Sequence, residues 1–535
     1  MLPHRSLPIT GISIILLAGF LVDSLPVTPA PQTVFTLPSP ERTQVLILGG
    51  GVAGIIAART LQERGVSDFI IVEARTELGG RLLSHTFGEA GRDYTIELGA
   101  NWVQGTYNKD TGRENPIWTL SKKHRIETRE SAFFGGIDTY DETGRVNFTA
   151  EFKQAEENYD RLVTNADVRV KEHLVDATAR TGYSLLGAQP TNHHEVASEY
   201  YNFDWEFGQS PEETSWLASS WATTHTFDSD ADGFSDVNLM SVDPRGFKTF
   251  IQAEAQSFLQ SPKQVMLGAT VREIAYSSDG VQVHLADGRT LKANYSICTF
   301  SLGVLQHKDV VFTPALPDWK QEAIHSMAMG VYTKIFIQFP YKFWFETESA
   351  LYADRERGRY TVWHSLDHPN YLPDSGLLVV TVTGDFSKRI ESLPDAEVQA
   401  EVLGVLRKMY PAQAETMPEP TAFYFHRWFR DPLFRGAFSN WPASFLSEHH
   451  TNVRANVEER LWFAGEATSK FYFGEDAYIQ LSRSAELTRC SQGYLQGAYF
   501  EGMDIALEVA NCINGNGCVG LEHVEKVRNA RPYNI

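Results

Sequence analysis

Cysteine is scarce in this chain, four residues in 535 (Cys298, Cys490, Cys512 and Cys518), which excludes a disulfide-dense scaffold. Cys512 and Cys518 bracket a short loop that they can close, and Cys298 falls in an apolar strand candidate as a buried thiol. Positive charge is short as well. Against 67 Asp and Glu stand 47 Lys and Arg, a formal net charge of −20, so a nucleic-acid backbone is not an expected partner. Cations would instead be drawn to an acidic cleft. The apolar run from Ile9 to Val22 is too short for a comfortable membrane span. Following Arg5 and preceding the turn-rich Pro26 to Pro31, it reads as the core of a signal peptide over residues 1–30. Cleavage is expected between Ser24 and Ala30 and folding from about Arg42; a single N-terminal anchor is the alternative. Secretion to the extracellular space or cell wall follows, and two sequons fit a glycoprotein, Asn147 in a polar stretch better than Asn294 in a strand candidate. Metal-ligand spacings are missing, and the pairs His193–His194 and His449–His450 read as polar loop residues. Neither a metal nor a stable membrane partner is expected.

What is present is a glycine fingerprint. An apolar strand candidate from Val45 to Leu48 runs into Gly49, Gly51 and Gly54, a helical pattern follows, and a second apolar strand, Phe69 to Val72, ends in Glu73. Three such glycines let the turn close, bring backbone against a pyrophosphate and pack helix on strand. Glu73 stands where a carboxylate grips a ribose 2′-hydroxyl, and its charge repels a 2′-phosphate. The next segment adds Gly79, Gly80 and Arg81. A freely exchanging nicotinamide needs no second glycine pair there, whereas a permanently bound FAD can use the glycines for close approach and Arg81 for its phosphate or flavin end.

At 42% hydrophobic, the chain can bury a large core and divide into two domains. The predicted class is α/β: a Rossmann-like FAD-binding domain interleaved with an α+β substrate domain on a mixed sheet. The nucleotide domain takes residues 42–104, 241–319 and 451–512, the substrate domain 105–240 and 320–450, and residues 513–535 form a tail. The patterns predict strands at Gln264 to Leu267, Thr270 to Tyr276, Val281 to Leu285 and Tyr295 to Phe300, with glycine turns at Gly280 and Gly288. Further strands fall at Thr333 to Phe339, Tyr360 to His364 and Gly376 to Thr383. Helices are predicted at Thr149 to Val163, Val168 to Ala179 and Asp395 to Tyr410, and from Gly493 to Val509, whose N-terminal amides would face the cofactor near Leu495.

Taken in order, these segments resemble the flavin-containing amine oxidases, most of all the secreted plant and fungal polyamine oxidases. The likeness covers residues 42–512 and is carried by Leu48 to Gly54, Glu73 to Arg81, Glu97 to Trp102, Val331 to Phe336, Gly436 to Pro442, Phe463 to Glu466 and Gly493 to Tyr499. The resemblance implies that Glu73 binds adenosine ribose, that Arg81 and Glu466 lie along noncovalent FAD, that Val271 meets the adenine and that Trp428 packs on the flavin. It implies that Lys334 holds a water near flavin N5, that Phe438 and Tyr494 flank the substrate chain, and that Glu206 and Tyr332 line its tunnel. Two departures stand out. Gln104 replaces a second tunnel acid of the plant members, and roughly 17 to 20 extra residues fall within 473–492, either a tolerated surface loop or translated non-coding sequence.

The implied reaction is FAD-dependent oxidation of spermidine or spermine at a secondary amine, with hydride passing to flavin N5, hydrolysis of the imine, and O₂ reduced to H₂O₂. Polyamine and O₂ are then the partners of a monomer. The residue chemistry agrees: an aromatic slot at Phe438 and Tyr494, with Trp205 beside Glu206, suits a slim polymethylene chain and tolerates its cationic ends. Glu206 can bind a distant ammonium, and Lys334, in an otherwise apolar strand, is expected buried with a lowered pKa. The alternatives are an L-amino-acid or monoamine oxidase of the same fold, with Arg427 as carboxylate ligand, and a secreted FAD-binding protein without turnover.

Overall fold

The computed structural model describes residues 41–131, 136–172, 174–231, 233–444, 446–469, 494–515 and 518. The signal-like segment, Cys490 and the 473–492 insertion lie outside these. Parallel pairing joins Val265–Met266, Phe69–Val72, Glu41–Leu48 and Thr290–Cys298, and Leu461–Phe463 runs parallel to the last of these. Gly280–Leu285 and Val271–Ser277 continue this sheet antiparallel, and Val311–Thr313 completes eight strands. Alternation assigns the two faces. Val45, Ile47, Ile71 and Ile297 pack against Ala57, Ala58 and Leu61 of the helix Val52–Glu63 and Ile505, Ala506 and Val509 of the helix Leu495–Ile513. Leu46, Leu48, Ile70 and Val72 enter the core on the other face. With both faces buried, these parallel strands read as unbroken apolar runs.

The second sheet has seven strands, in the order Ala422–Phe425, Tyr332–Gln338, Leu377–Thr383, Val362–Ser365, Ser349–Ala353, Ile137–Asp141 and Gly144–Arg145. Ile335 and Ile337 face the helix Asp395–Met409 through Val398, Val402 and Leu406. Strand alternation therefore turns Lys334 and Phe336 to the opposite face, where Phe336 joins Leu98, Trp428 and Phe434. That face lies against the segment Glu97 to Asn101, whose oxygens receive the Lys334 ammonium.

Three expectations need correction. The helical stretches around Thr149 to Ala179 are one continuous helix, Thr149–Lys171, followed by a separate one, Ala179–Leu185. The polar Thr164 to Asp167 does not break it, because Leu162 and Ala166, one turn apart, are both buried against the helix Trp216–Phe227. Nor are the histidine pairs loop residues. His193 and His194 open the helix His193–Asn202, while His449 and His450 lie buried in the helix Ser447–Arg454. The cysteine expectations hold: Cys512 and Cys518 are bonded and Cys298 is a buried thiol. Asn147 and Asn294 are both exposed.

Two glycines test this packing with opposite signs. A Cβ at Gly54 would lie 2.0 Å from Gly49 O, whereas one at Gly404 would meet nothing within 4 Å. Gly54→Ala is expected to lower the thermal unfolding midpoint by an overpacking cost of about 1–3 kcal/mol. Gly404→Ala, inside the helix Asp395–Met409, should raise it by up to about 1 kcal/mol. Differential scanning calorimetry of the two variants reads both signs.

Candidate active site

The strand Glu41–Leu48 delivers its chain into a turn that only glycine accommodates. Gly49 has φ +113°, and its N–H donates to Val72 O at 2.9 Å. The second glycine pair lies directly behind it: Gly79 N–H donates to Gly50 O at 2.9 Å, and a Cβ on Gly80 would stand 3.0 Å from Gly51 Cα. Glu73 closes the arrangement. Its buried carboxylate accepts from Gly50 N–H at 2.7 Å through Oε2 and from Arg75 N–H at 2.8 Å through Oε1. Each oxygen keeps a further lone pair, so the carboxylate that shapes the turn can still accept ribose hydroxyls. Arg75 Nη1 ties in the second turn by donating to Gly80 O at 2.9 Å.

A cavity of about 560 Å³ opens from these turns. Gly49, Gly51, Glu73, Gly79 to Arg81 and Val271 line one end, and Glu206, Tyr332, Phe438 and Tyr494 the other. Gly54 lies just outside, as the contact between helix and turn. At Gly51 and Gly465 an added Cβ would meet no protein atom within 3.7 Å, so the space these glycines keep bare belongs to the cavity. The helix Val52–Glu63 starts there with no acidic residue in its first turn, which suits an anionic pyrophosphate. The residues present fit an extended dinucleotide.

Midway, Arg81 Nη1 donates to Glu466 Oε1 and to Ala437 O, both at 2.9 Å. Glu466 also accepts from Ser439 Oγ at 2.5 Å. Trp428, 3% exposed, forms the neighbouring wall with its edge against Phe434 and His426. Gly99 passes beneath it with no room for a side chain: a Cβ there would stand 1.8 Å from Arg81 O and in contact with the Trp428 ring at 3.4 Å.

At the far end, the Tyr494 hydroxyl donates to Glu206 Oε1 at 2.6 Å. Burial pushes the Glu206 pKa up, and the Tyr494 bond draws it partly back. Glu206 sits on the short helix Asp204–Phe207, next to Trp205, and Gly208 ends that helix with φ +66°. The rings of Tyr332 and Phe438 lie 5.9 Å apart. Gln104, at the end of the strand Trp102–Gln104, joins the lining, as do Leu495 and Ala498 of the last helix.

Lys334 Nζ donates to Gly99 O at 2.7 Å, Asn101 Oδ1 at 2.8 Å and Glu97 O at 3.2 Å. Burial lowers its pKa to about 8 against an opposing pull from Glu97. An ammonium has three hydrogens, and here three protein oxygens match them. In the neutral amine a lone pair becomes available to a water, so the role implied for Lys334 is coupled to its protonation. Asn101 falls within the Glu97 to Trp102 match, but its role as an acceptor for Lys334 escaped notice because a single asparagine does not reveal its partner. Thr299, whose Oγ1 donates to Leu48 O at 3.0 Å beside the glycine turn, escaped for the same reason. Arg427 is not in the cavity lining; its guanidinium donates to Glu391 O, Leu393 O and Asp395 Oδ1.

A family profile described as flavin containing amine oxidoreductase matches residues 52–479. Polyamine oxidase 6 of Oryza sativa subsp. japonica is 33% identical over 505 residues, covering 90% of this chain and 94% of the relative. Polyamine oxidase 1 of Zea mays is 34% identical over 497 residues, covering 89% and 92%. Among solved structures, a putrescine oxidase with redesigned cofactor binding superposes with a TM-score of 0.67 at 16% identity, over 88% of this chain and 99% of its own. That likeness is one of fold.

Lys334→Met removes the three donors while keeping an unbranched side chain in the strand. Flavin content and unfolding midpoint should stay near those of the parent, while flavin reduction by amine, reoxidation by O₂, or both become slower. Stopped-flow absorbance separates the two half-reactions. Unchanged rates in both would remove Lys334 from the chemistry.

Proposed function

We propose that this chain, which belongs to the flavin-containing amine oxidoreductase family, is a polyamine oxidase that uses noncovalent FAD to oxidise spermidine or spermine at a secondary amine and returns the electrons to O₂ as H₂O₂. The observation that carries the reading is Glu206: a half-buried carboxylate bonded to Tyr494 at the aromatic end of a cavity whose other end is the glycine cradle. The relatedness to plant polyamine oxidases supports the same substrate class.

Bound in the cradle, the flavin supplies a two-electron acceptor that takes hydride from the carbon next to the amine nitrogen and reduces O₂. The glycine turns, Glu73 and the Arg81–Glu466 pair would hold the dinucleotide, and Trp428 would form the wall beside its ring system. The protein's remaining work is orientation. Phe438, Tyr332 and Tyr494 confine a polymethylene chain, and their faces tolerate its cationic ends. Glu206 takes a remote ammonium and sets the register of the chain. The reacting nitrogen has to be neutral to release hydride from its neighbour. Gln104 favours this, since it can accept a hydrogen bond from an amine without stabilising the protonated form by charge.

Competing readings have less behind them. An L-amino-acid oxidase needs a cation facing a substrate carboxylate, and Arg427 is spent on Asp395 and two carbonyls away from the cavity. The signal-like residues 1–30 support secretion, and polyamine and O₂ are the only partners a monomer of this kind requires.

Noncovalent attachment is the reading favoured by the sequence from Glu466 to Lys470, which contains no cysteine to bond a flavin. Acid or heat precipitation is expected to leave the yellow chromophore in the supernatant, with the mass of FAD; colour retained by the polypeptide would overturn it.

Substrate class is tested by a peroxide-coupled screen, in which spermidine or spermine should be turned over better than putrescine, tyramine or any L-amino acid. Glu206→Gln should raise KM for the polyamine by about 10- to 150-fold, the equivalent of a charge-assisted contact of about 1.5–3 kcal/mol, and raise it less for a monoamine. Mass spectrometry of the products distinguishes 1,3-diaminopropane with an aminoaldehyde from putrescine with 3-aminopropanal. Preference for an L-amino acid over every polyamine would overturn the substrate reading.

A further inference from the structure

Away from the cavity, two successive histidines converge on an aspartate. The strand Ile137–Asp141 ends at Asp141, Glu142 follows in the turn, and the helix His193–Asn202 opens with His193 and His194. His194 Nε2 lies 3.1 Å from Asp141 Oδ2, and His193 Nε2 lies 3.9 Å from Glu142 Oε2. One ligand atom each from Asp141, His193 and His194 fall within 4.8 Å of one another.

Three further observations distinguish this cluster from a chance meeting of polar groups. The Nε2 atom of His193 is buried and makes no hydrogen bond, an arrangement that costs free energy unless something binds there. The ligand groups are also held in place. His194 stacks on Phe148 at 4.7 Å and 11°, and Asp141 Oδ1 accepts from Thr143 N–H at 2.8 Å and Thr143 Oγ1 at 2.6 Å. Outer bonds of this kind orient metal ligands. Finally, two imidazoles and a carboxylate form the donor set that zinc takes in four-coordinate sites.

We propose that Asp141, His193 and His194 bind a divalent cation of the zinc class, with the fourth position left to water. The cation would pin the hairpin Ile137–Arg145 to the helix His193–Asn202. That helix runs directly into the Asp204–Phe207 turn that carries Glu206, so the site braces the far wall of the cavity without touching its lining. Its effect is on stability, and basal turnover needs no metal.

The test uses the chelator-treated full-length holoenzyme. Titration with zinc chloride by calorimetry should show one equivalent bound and a raised unfolding midpoint, and cobalt(II) should give the visible absorption of a low-coordinate nitrogen and oxygen site. His193→Gln and Asp141→Asn should each weaken zinc binding by about tenfold or more while peroxide production stays at the parent level. A readout on the unaltered protein covers the case in which a variant fails to fold: zinc should protect His193 and His194 from acylation by diethylpyrocarbonate, located by peptide mass spectrometry. Absence of zinc binding, binding unchanged in both variants, or unprotected histidines at saturating zinc would each overturn the proposal.

Discussion

The ion pair between Arg81 and Glu466 holds together pieces of chain 385 residues apart, and the cavity takes its shape from it. Arg81 follows the second glycine turn, Glu466 follows the strand Leu461–Phe463, and the same guanidinium nitrogen also reaches Ala437 O in a segment returning from the second sheet. Largely buried ion pairs of this kind add little net stability, but removing one partner leaves a costly uncompensated charge. The pair therefore serves to specify where the three returning segments meet. Gly465, with φ +147°, lets the chain turn there, and Ser439 completes the shell by donating to Glu466. A dinucleotide laid from Glu73 toward Trp428 has to pass this point.

Electrostatics divide the cavity into ends with different tasks. The glycine end offers backbone N–H groups and a helix N-terminus, which favour anionic phosphate. The aromatic end offers one half-buried carboxylate, Glu206, beside hydroxyl and amide groups, which favours a cation. Between them stands Lys334, whose pKa burial lowers to about 8 and whose three hydrogens are taken by Gly99 O, Asn101 Oδ1 and Glu97 O. The overall charge of −20 works in the same direction as Glu206, by concentrating polycations near the protein.

Much of the fold was legible because its signals are local. An apolar strand, a glycine turn and a helix appear in order at Val45 to Glu63, and the structure forms them in that order. Lys334 stood out for a similar reason, as a charge in an alternating apolar strand. Features that depend on distant contacts were not legible. The helix Thr149–Lys171 runs through a poor helix-forming stretch because Leu162 and Ala166 find a partner helix some fifty residues later. The histidines look like polar loop residues until the strand ending at Asp141 is brought beside them. Asn101 and Thr299 act through local hydrogen bonds, to Lys334 and to the Leu48 and Gly49 carbonyls, and one polar residue leaves no periodic trace.

The position of Glu206 shows how substrate register depends on residues far from the substrate. Four residues cannot sustain a helix alone, since nucleation costs more than so few bonds return. Asp204–Phe207 is held from outside. Asp204 is buried and receives two bonds from Arg357, at 3.0 and 2.6 Å, and Arg357 also pairs with Glu199 at 2.8 Å. Glu199 in turn takes both terminal nitrogens of Arg180. From the other side, Tyr494 reaches Glu206 from the residue just before the helix Leu495–Ile513, whose opposite face packs on the helix of the glycine cradle. The carboxylate that would bind the remote ammonium is thus tied through Arg357 to a turn of the seven-stranded sheet and through Tyr494 to the helix that packs on the eight-stranded one. With Glu206 as the ammonium site, these contacts would set its distance from the cofactor, and that distance would select which carbon–nitrogen bond of a polyamine is presented for oxidation.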